Sequence, residues 1–164
     1  MLIFVFSDSH GTIEHMTALL EQELPDMVIH LGDHADDAKR LADRFPMRLV
    51  SVAGNSYDDL YGGTPERMLL KLEGHTVLAC HGHRYQVKSS LLALGYAAQS
   101  AEAELVLFGH THTPCDVTDG AVRFINPGSA GRGYLRGNTY ARLTVTQDKI
   151  TCEIRTLPDG GERL

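Results

Sequence analysis

The sequence has no tryptophan, only three cysteines, and no apolar run near the ~20 residues that a membrane-spanning helix needs. A membrane-embedded class is therefore not expected. No basic stretch precedes an apolar segment and small-residue cleavage site at the N-terminus, so no secretory signal is expected. Cys80, Cys115 and Cys152 are odd in number and lack metal-ligand spacing. They read as reduced thiols of a cytoplasmic protein, not as a disulfide framework. Basic residues are outnumbered 15 to 21, for a net charge of −6. A protein that coats nucleic-acid backbone needs a basic face, which argues against that class. A small anionic substrate stays open, because a bound cation can dominate the local field. Repeats, linkers and low-complexity segments are absent too. The 164 residues suit one domain spanning residues 1–164. A chain of that size buries roughly 70% of its unfolded surface.

What the chain does have is a run of apolar segments that end in polar, metal-type residues. Leu2–Phe6 is unbroken and rich in β-formers, as in a strand covered on both faces. Asp8, Ser9 and His10 follow at once. In extended backbone Asp8 and His10 point to the same side. Ile13, Met16, Leu19, Leu20 and Leu24 then predict a helix, capped by Thr12 and ended by Pro25-Asp26. Met27–Leu31 is a second strand, followed by Gly32-Asp33. A second helix fits Ala35, Ala38, Leu41, Ala42 and Phe45, closed by Pro46. Met47–Ala53 is a third strand, followed by Gly54-Asn55. This alternation implies a parallel sheet with right-handed crossovers. Ligands are expected past the carboxyl ends of its strands.

The pattern then shifts. Ser56–Pro65 reads as a polar loop. Glu66–Leu72 and Thr76–Cys80 form a predicted hairpin, with His81-Gly82-His83 just beyond. A helix is expected from Ser89 to about Ala103, and Leu105–Phe108 runs straight into Gly109-His110-Thr111-His112. Two further hairpins turn at Asp119-Gly120 and at Gln147-Asp148-Lys149. Asn126-Pro127-Gly128-Ser129 reads as a structural turn, with a glycine-rich sequel that borders the site. The tail from Pro158 is expected to fray.

Five strands thus end in a potential metal ligand: Asp8 with His10, Asp33, Asn55, His81, and His110 with His112. Carboxylate and imidazole donors suit Mn, Fe, Ni, Zn or Mg. Seven donors are too many for one tetrahedral ion and match two ions sharing a bridging carboxylate. Gly32, Gly54, Gly82 and Gly109 allow sharp turns and close approach. His30, inside an apolar strand, reads as a hydrogen-bonded core histidine. His15, His34 and His75 read as solvated. Asp36 and Asp37 read as the acidic first turn of a helix.

The stretches D-S-H, G-D, G-N, H-G-H and G-H-T-H, in this order, resemble those of the calcineurin-like metallophosphoesterases, over roughly residues 1–145. The short chain resembles their small bacterial and archaeal phosphodiesterase branch. That resemblance implies an α/β (α+β) fold: a two-sheet β-sandwich flanked by helices, in four layers. It also implies a dinuclear centre, with manganese among the expected metals. Asp8, His10 and His112 would hold one ion, Asn55, His81 and His110 the other, and Asp33 would bridge them. Asp33, Asn55 and His81 would act in catalysis through metal and phosphate positioning. His83 is a further catalytic candidate, as ligand, substrate contact or proton donor.

Two divalent ions can hold a bridging hydroxide and clamp a phosphoryl group for in-line attack. With two aspartates and that hydroxide the centre carries about +1, which a phosphodiester monoanion neutralises and a monoester dianion overshoots. A small phosphodiester is the favoured substrate; Arg84, Arg132 and Arg136 are candidate contacts. The alternatives are a phosphomonoesterase, or a metal-binding protein-interaction scaffold like a trafficking relative of the branch. Homo-oligomerisation stays open. One departure stands out. Many family members carry a histidine after the metal-binding asparagine to protonate the leaving group, and here Ser56 follows Asn55. The general acid is then unassigned, with His83, Tyr57 and Asp58 as candidates.

Overall fold

Strand β1 (Leu2–Phe6) is buried on both faces, and its alternation sets the layers. Ile3 and Val5 point into a core shared between two sheets, while Phe4 and Phe6 point the other way, towards helices. That is why the segment reads as continuous apolar sequence. The computed structural model describes residues 1–133 and 137–160. In the first sheet β1 pairs in parallel with β2 (Met27–His30), and β2 with β3 (Arg48–Ser51). On its other side β1 pairs antiparallel with β9 (Thr139–Val145), which pairs with β10 (Ile150–Thr156). The order is β10-β9-β1-β2-β3.

The second sheet has the order β4-β5-β6-β8-β7. Its strands are β4 (Arg67–Leu72), β5 (His75–Cys80), β6 (Leu105–Leu107), β7 (Cys115–Asp119) and β8 (Val122–Asn126). β5, β6 and β8 run parallel; β4 and β7 are antiparallel edges. Leu72, Val77, Leu107 and Ile125 meet Ile3, Ile29 and Leu143 between the sheets. Helix α1 (Glu14–Gln22) covers the outer face of the first sheet with Met16, Leu19 and Leu20, beside Leu41 of α2 (Ala35–Ala42). Helix α4 (Leu92–Ser100) covers the second with Leu94 and Ala98, against Val106 and Phe124. The outcome is two mixed sheets flanked by helices, in four layers, as the resemblance implied.

Several local expectations are corrected. Thr12 does not cap α1; Ile13 stands at its start without a side-chain cap, and Leu24 lies past its end, 50% exposed. His75 opens β5 instead of sitting in the turn. Of the tail expected to fray, Pro158 O and Gly160 N lie 3.0 Å from His15 Nδ1, which can bond one of them at a time, and residues 161–164 lie outside the described residues. The Ser56–Pro65 loop holds a short helix, α3 (Tyr57–Tyr61). Ser56 Oγ caps it, accepting from Asp59 N–H at 3.4 Å.

Asp59 gives α3 its importance. The carboxylate is buried, and it accepts from Gly54 N–H (2.7 Å), Ala35 N–H (2.6 Å) and His34 N–H (3.2 Å). One side chain thus ties the turns after β2 and β3 and covers the exposed donors at the start of α2. Asp59→Ala leaves those donors without a partner. It is expected to cost about 2–4 kcal/mol, read as a lower urea midpoint at unchanged slope. Asp59→Asn keeps an accepting oxygen and should cost less.

Candidate metal centre

The carboxyl ends of β1, β2, β3, β5 and β6 meet at one edge, and the predicted donors meet there. Asp8, His10, Asp33 and His112 offer ligand atoms within 4.8 Å of one another. His10 Nε2 and His112 Nε2 are 3.1 Å apart, and His112 Nε2 lies 3.1 Å from Asp8 Oδ1. Beside this set lies a second. His81 Nε2 is 3.1 Å from Asn55 Oδ1 and 3.2 Å from His110 Nδ1. Donors bound ~2.1 Å from one ion at tetrahedral or octahedral angles stand about 3.0–3.4 Å apart. Asp33 faces both sets, with Oδ1 3.6 Å from His81 Nε2 and Oδ2 3.9 Å from His10 Nε2.

The donor chemistry fits a divalent cation. Asp8 Oδ1 is buried and has no aligned hydrogen-bond donor, despite the nearby His112. His81 Nδ1–H donates to Leu31 O at 2.7 Å, which turns the Nε2 lone pair into the centre. Burial alone would raise the Asp8 carboxyl, but His112, His81 and Ser7 bring it below its ordinary value. Burial lowers His10 and pushes His110 down to about 4. The Asp8 carboxylate is ionised and the His10 and His110 rings are neutral at pH 7, which is the ligand form of each.

Each aspartate spends one oxygen on a neighbouring turn. Asp8 Oδ2 accepts from His110 N–H (3.0 Å) and Ser7 Oγ (2.6 Å). Asp33 Oδ1 accepts from Asn55 N–H (2.9 Å) and Ser56 N–H (3.1 Å). The turns also touch directly: a Cβ at Gly54 would collide with the Asp33 backbone and carboxylate, and one at Gly109 with the Ser7 side chain. Asp8, His10, Asp33, His110 and His112 all adopt positive φ, between 51° and 67°. Such backbone is uncommon outside glycine and collects at functional sites.

Other predicted residues fall at the margin. His83 is half-buried, its ring 5.5 Å from that of His81 and 6.2 Å from that of His110. Ser56 Oγ also lies 3.4 Å from His34 N, so its hydroxyl serves the backbone. Arg84 is paired with Glu66 at 2.5 Å, Arg132 is exposed, and Arg136 lies outside the described residues. Solvation does not hold for His15 and His75, which are tied to other parts of the chain, whereas His34 keeps 34% of its side chain exposed. All three are half-buried; His75 bonds Glu104 at 3.0 Å, and the His34 ring is 6.0 Å from that of His10. Asp36 and Asp37 do stand in the first turn of α2, and Asp37 is buried there. Asn126 does more than turn the chain. Its Nδ2–H₂ donates to Gly109 O (3.0 Å) and Thr111 Oγ1 (3.1 Å), holding the His110–His112 turn. The three cysteines are free thiols, and burial pushes Cys80 up to about 12.

His30 is the core histidine that was expected, fully buried and pushed by burial down to about 4 from 6.5. In the unfolded chain it would protonate near 6.5, so the unfolded state takes up a proton that the native state does not. Stability is thus unaffected above pH 6.5 and falls as pH drops towards 4, by about 3 kcal/mol for this residue. Urea midpoints measured in chelator should fall between pH 7 and pH 4.5. His30→Gln, which does not titrate, should flatten that decline.

Comparison with known proteins shows the family. Residues 1–148 match the family model for the calcineurin-like phosphoesterase superfamily domain. The probable metallophosphoesterase YsnB of Bacillus subtilis is 31% identical over 156 residues, covering 92% of this chain and 88% of its own length. Among solved structures, Vps29 of Entamoeba histolytica superposes with a TM-score of 0.80 at 22% identity, covering 98% and 94% of the two chains. An archaeal phosphodiesterase superposes with a TM-score of 0.71 at 21% identity, covering 94% and 100%. Those two likenesses concern the fold; the family match and the YsnB identity reach further, and by them this chain belongs to the calcineurin-like metallophosphoesterases.

Proposed function

We propose that the protein hydrolyses small phosphodiesters with two divalent cations. Asp8, His10 and His112 would hold one, Asn55, His81 and His110 the other, with Asp33 between them. The observation that carries this reading is the pair of donor sets with atoms 3.1–3.2 Å apart, set on either side of one carboxylate. Two such cations would supply an activated water and positive charge to clamp the phosphoryl oxygens. The chain's own part is to hold the donors neutral or ionised as needed, and to fix them before substrate arrives. The fold of the archaeal phosphodiesterase is consistent with the substrate class. The charge balance set out above favours a diester over a monoester.

Likeness to Vps29 keeps a protein-interaction role as the second reading. All seven donors are present here, the His81 Nε2 lone pair is turned inward, and a scaffold does not need them. Hydrolysis of a chromogenic diester that depends on added metal separates the two. Activity absent under every metal would favour the scaffold, and preference for the matching monoester would favour a phosphomonoesterase.

Asp33 is the position to test first. Its carboxylate faces both donor sets and also holds the Asn55 turn. Asp33→Ala is expected to reduce metal bound after dialysis at both sets, whereas His10→Ala should chiefly affect one. Two ions per chain retained in Asp33→Ala would refute the shared position.

Leaving-group chemistry gives a second test. Burial lowers the pKa of His83, which makes its proton-donating charged form scarcer near neutral pH. Ser56 is a cap, and Tyr57 is exposed. Without a placed acid, which elsewhere contributes ~10²–10⁴-fold, rates should depend steeply on leaving-group pKa. Aryl diesters should turn over far faster than alkyl ones, and His83→Ala should leave that slope unchanged. A flat dependence with chemistry rate-limiting would show that an acid is present.

A further inference from the structure

Behind the first donor set lies a buried polar chain that the proposed reaction does not use. Ser9 sits between Asp8 and His10, and its side chain is fully buried. The Ser9 hydroxyl lies 3.0 Å from His30 Nε2, 2.7 Å from Asp37 Oδ2 and 3.3 Å from Asp33 O. Gly32 N–H donates to His30 Nδ1 at 3.3 Å, so the network assigns the ring proton to Nε2. His30 Nε2–H then donates to Ser9 Oγ, and Ser9 O–H donates to Asp37. Asp37 also accepts from Gly11 N–H at 2.9 Å and from Arg40 at 3.0 Å. The chain of bonds runs one way, from the Gly32 turn through the Asp8–His10 turn to helix α2, and its three inner side chains are all buried.

We infer that Ser9, His30 and Asp37 form one positioning unit. It sets the distance between the Asp8–His10 turn and the Asp33 turn, and so the cation affinity of the Asp8, His10, Asp33 and His112 set. The inference rests on the two-cation reading. In the second set His81 is held by its own bond to Leu31 O, and only Asp33, which Asn55 N–H also bonds, is shared with the first, so the second set should be affected less. Ser9→Ala removes the hydroxyl that reaches from the Asp8–His10 turn to His30, Asp37 and the Asp33 carbonyl, and leaves the backbone bond from Asp8 N–H to Gly32 O (3.0 Å) in place. It leaves His30 Nε2–H without an acceptor and Asp37 with one donor fewer, in a place that water does not reach.

The test is calorimetric titration of zinc into chelator-stripped protein, with melting temperature recorded in parallel. Wild type should show two uptake steps. Ser9→Ala and His30→Leu should weaken one step by about 10–100-fold and the other less. His30→Gln, which keeps an amide donor near the Nε2 position, should recover part of the loss. If Ser9→Ala does not fold, Asp37→Asn stands in for it, because it keeps the shape and one accepting oxygen. Wild-type affinity at both steps would overturn the inference. So would equal weakening of both steps in proportion to a lower melting temperature, the mark of a purely structural role. A single zinc step in wild type would instead overturn the two-cation reading. The positioning unit would then stand only if Ser9→Ala and His112→Ala both weaken that one step.

Discussion

Asp8 and Asp33 each join neighbouring turns through one carboxylate oxygen while facing the centre, and the site depends on that double duty. One oxygen of each accepts backbone N–H groups of a turn from elsewhere in the chain: His110 for Asp8, and Asn55 with Ser56 for Asp33. The first of these bonds joins the two sheets, since Asp8 follows β1 and His110 follows β6. The second joins the ends of β2 and β3 within one sheet. Asp8 Oδ1 is then left inside the centre without an aligned donor. A carboxylate bonded only to the protein would be a structural staple, and one bonded only to a cation would leave the turns unfixed. Doing both, the same residue assembles the edge and presents charge to it.

This explains which parts of the molecule are legible in the sequence. Strand β1 reads clearly because sheet packing on one face and helix packing on the other demand apolar residues at every position. The donors read clearly because each follows directly on such a strand. Helix α3 does not, because five residues are too few for a 3.6-residue period and its one inward side chain is an aspartate. Asp37 and Asp59 were hidden for the same reason. Each is buried by bonds to hydroxyls or backbone N–H groups of other turns, and nothing in its own neighbourhood marks it. His15 and His75 are tied to groups 143 and 71 residues away in sequence, which local pattern does not reveal.

The burial of so many polar groups at one end would be costly without such pairing. Ser129 Oγ–H donates to Asp8 O at 2.8 Å, and Ala130 N–H donates to Ser7 O at 2.8 Å, so the Asn126–Ser129 turn closes the rear of the Asp8 turn. Asn126 closes the His110 turn from the same side. These bonds leave little freedom to the backbone that carries the donors. They also account for glycine at Gly54 and Gly109, where neighbouring turns lie too close for any side chain.

The positive φ of five donor residues follows from the same crowding. A donor that must emerge from the end of a buried strand and turn at once towards a shared centre has few backbone routes, and the left-handed one is the shortest. Each such residue costs roughly 1–2 kcal/mol in L-amino acids, less for aspartate with its local hydrogen bonds. Local sequence preference does not repay that cost. The bonds between turns do, at about 1 kcal/mol each where both partners are buried. The bonds between the turns thus offset the strain within the protein, and they also fix the backbone that carries the donors. A centre fixed in this way loses little conformational entropy on binding, which favours tight uptake and fixed geometry during turnover. The same reasoning makes the residues between and behind the donors, Ser9 above all, as important to the centre as those that touch the cation.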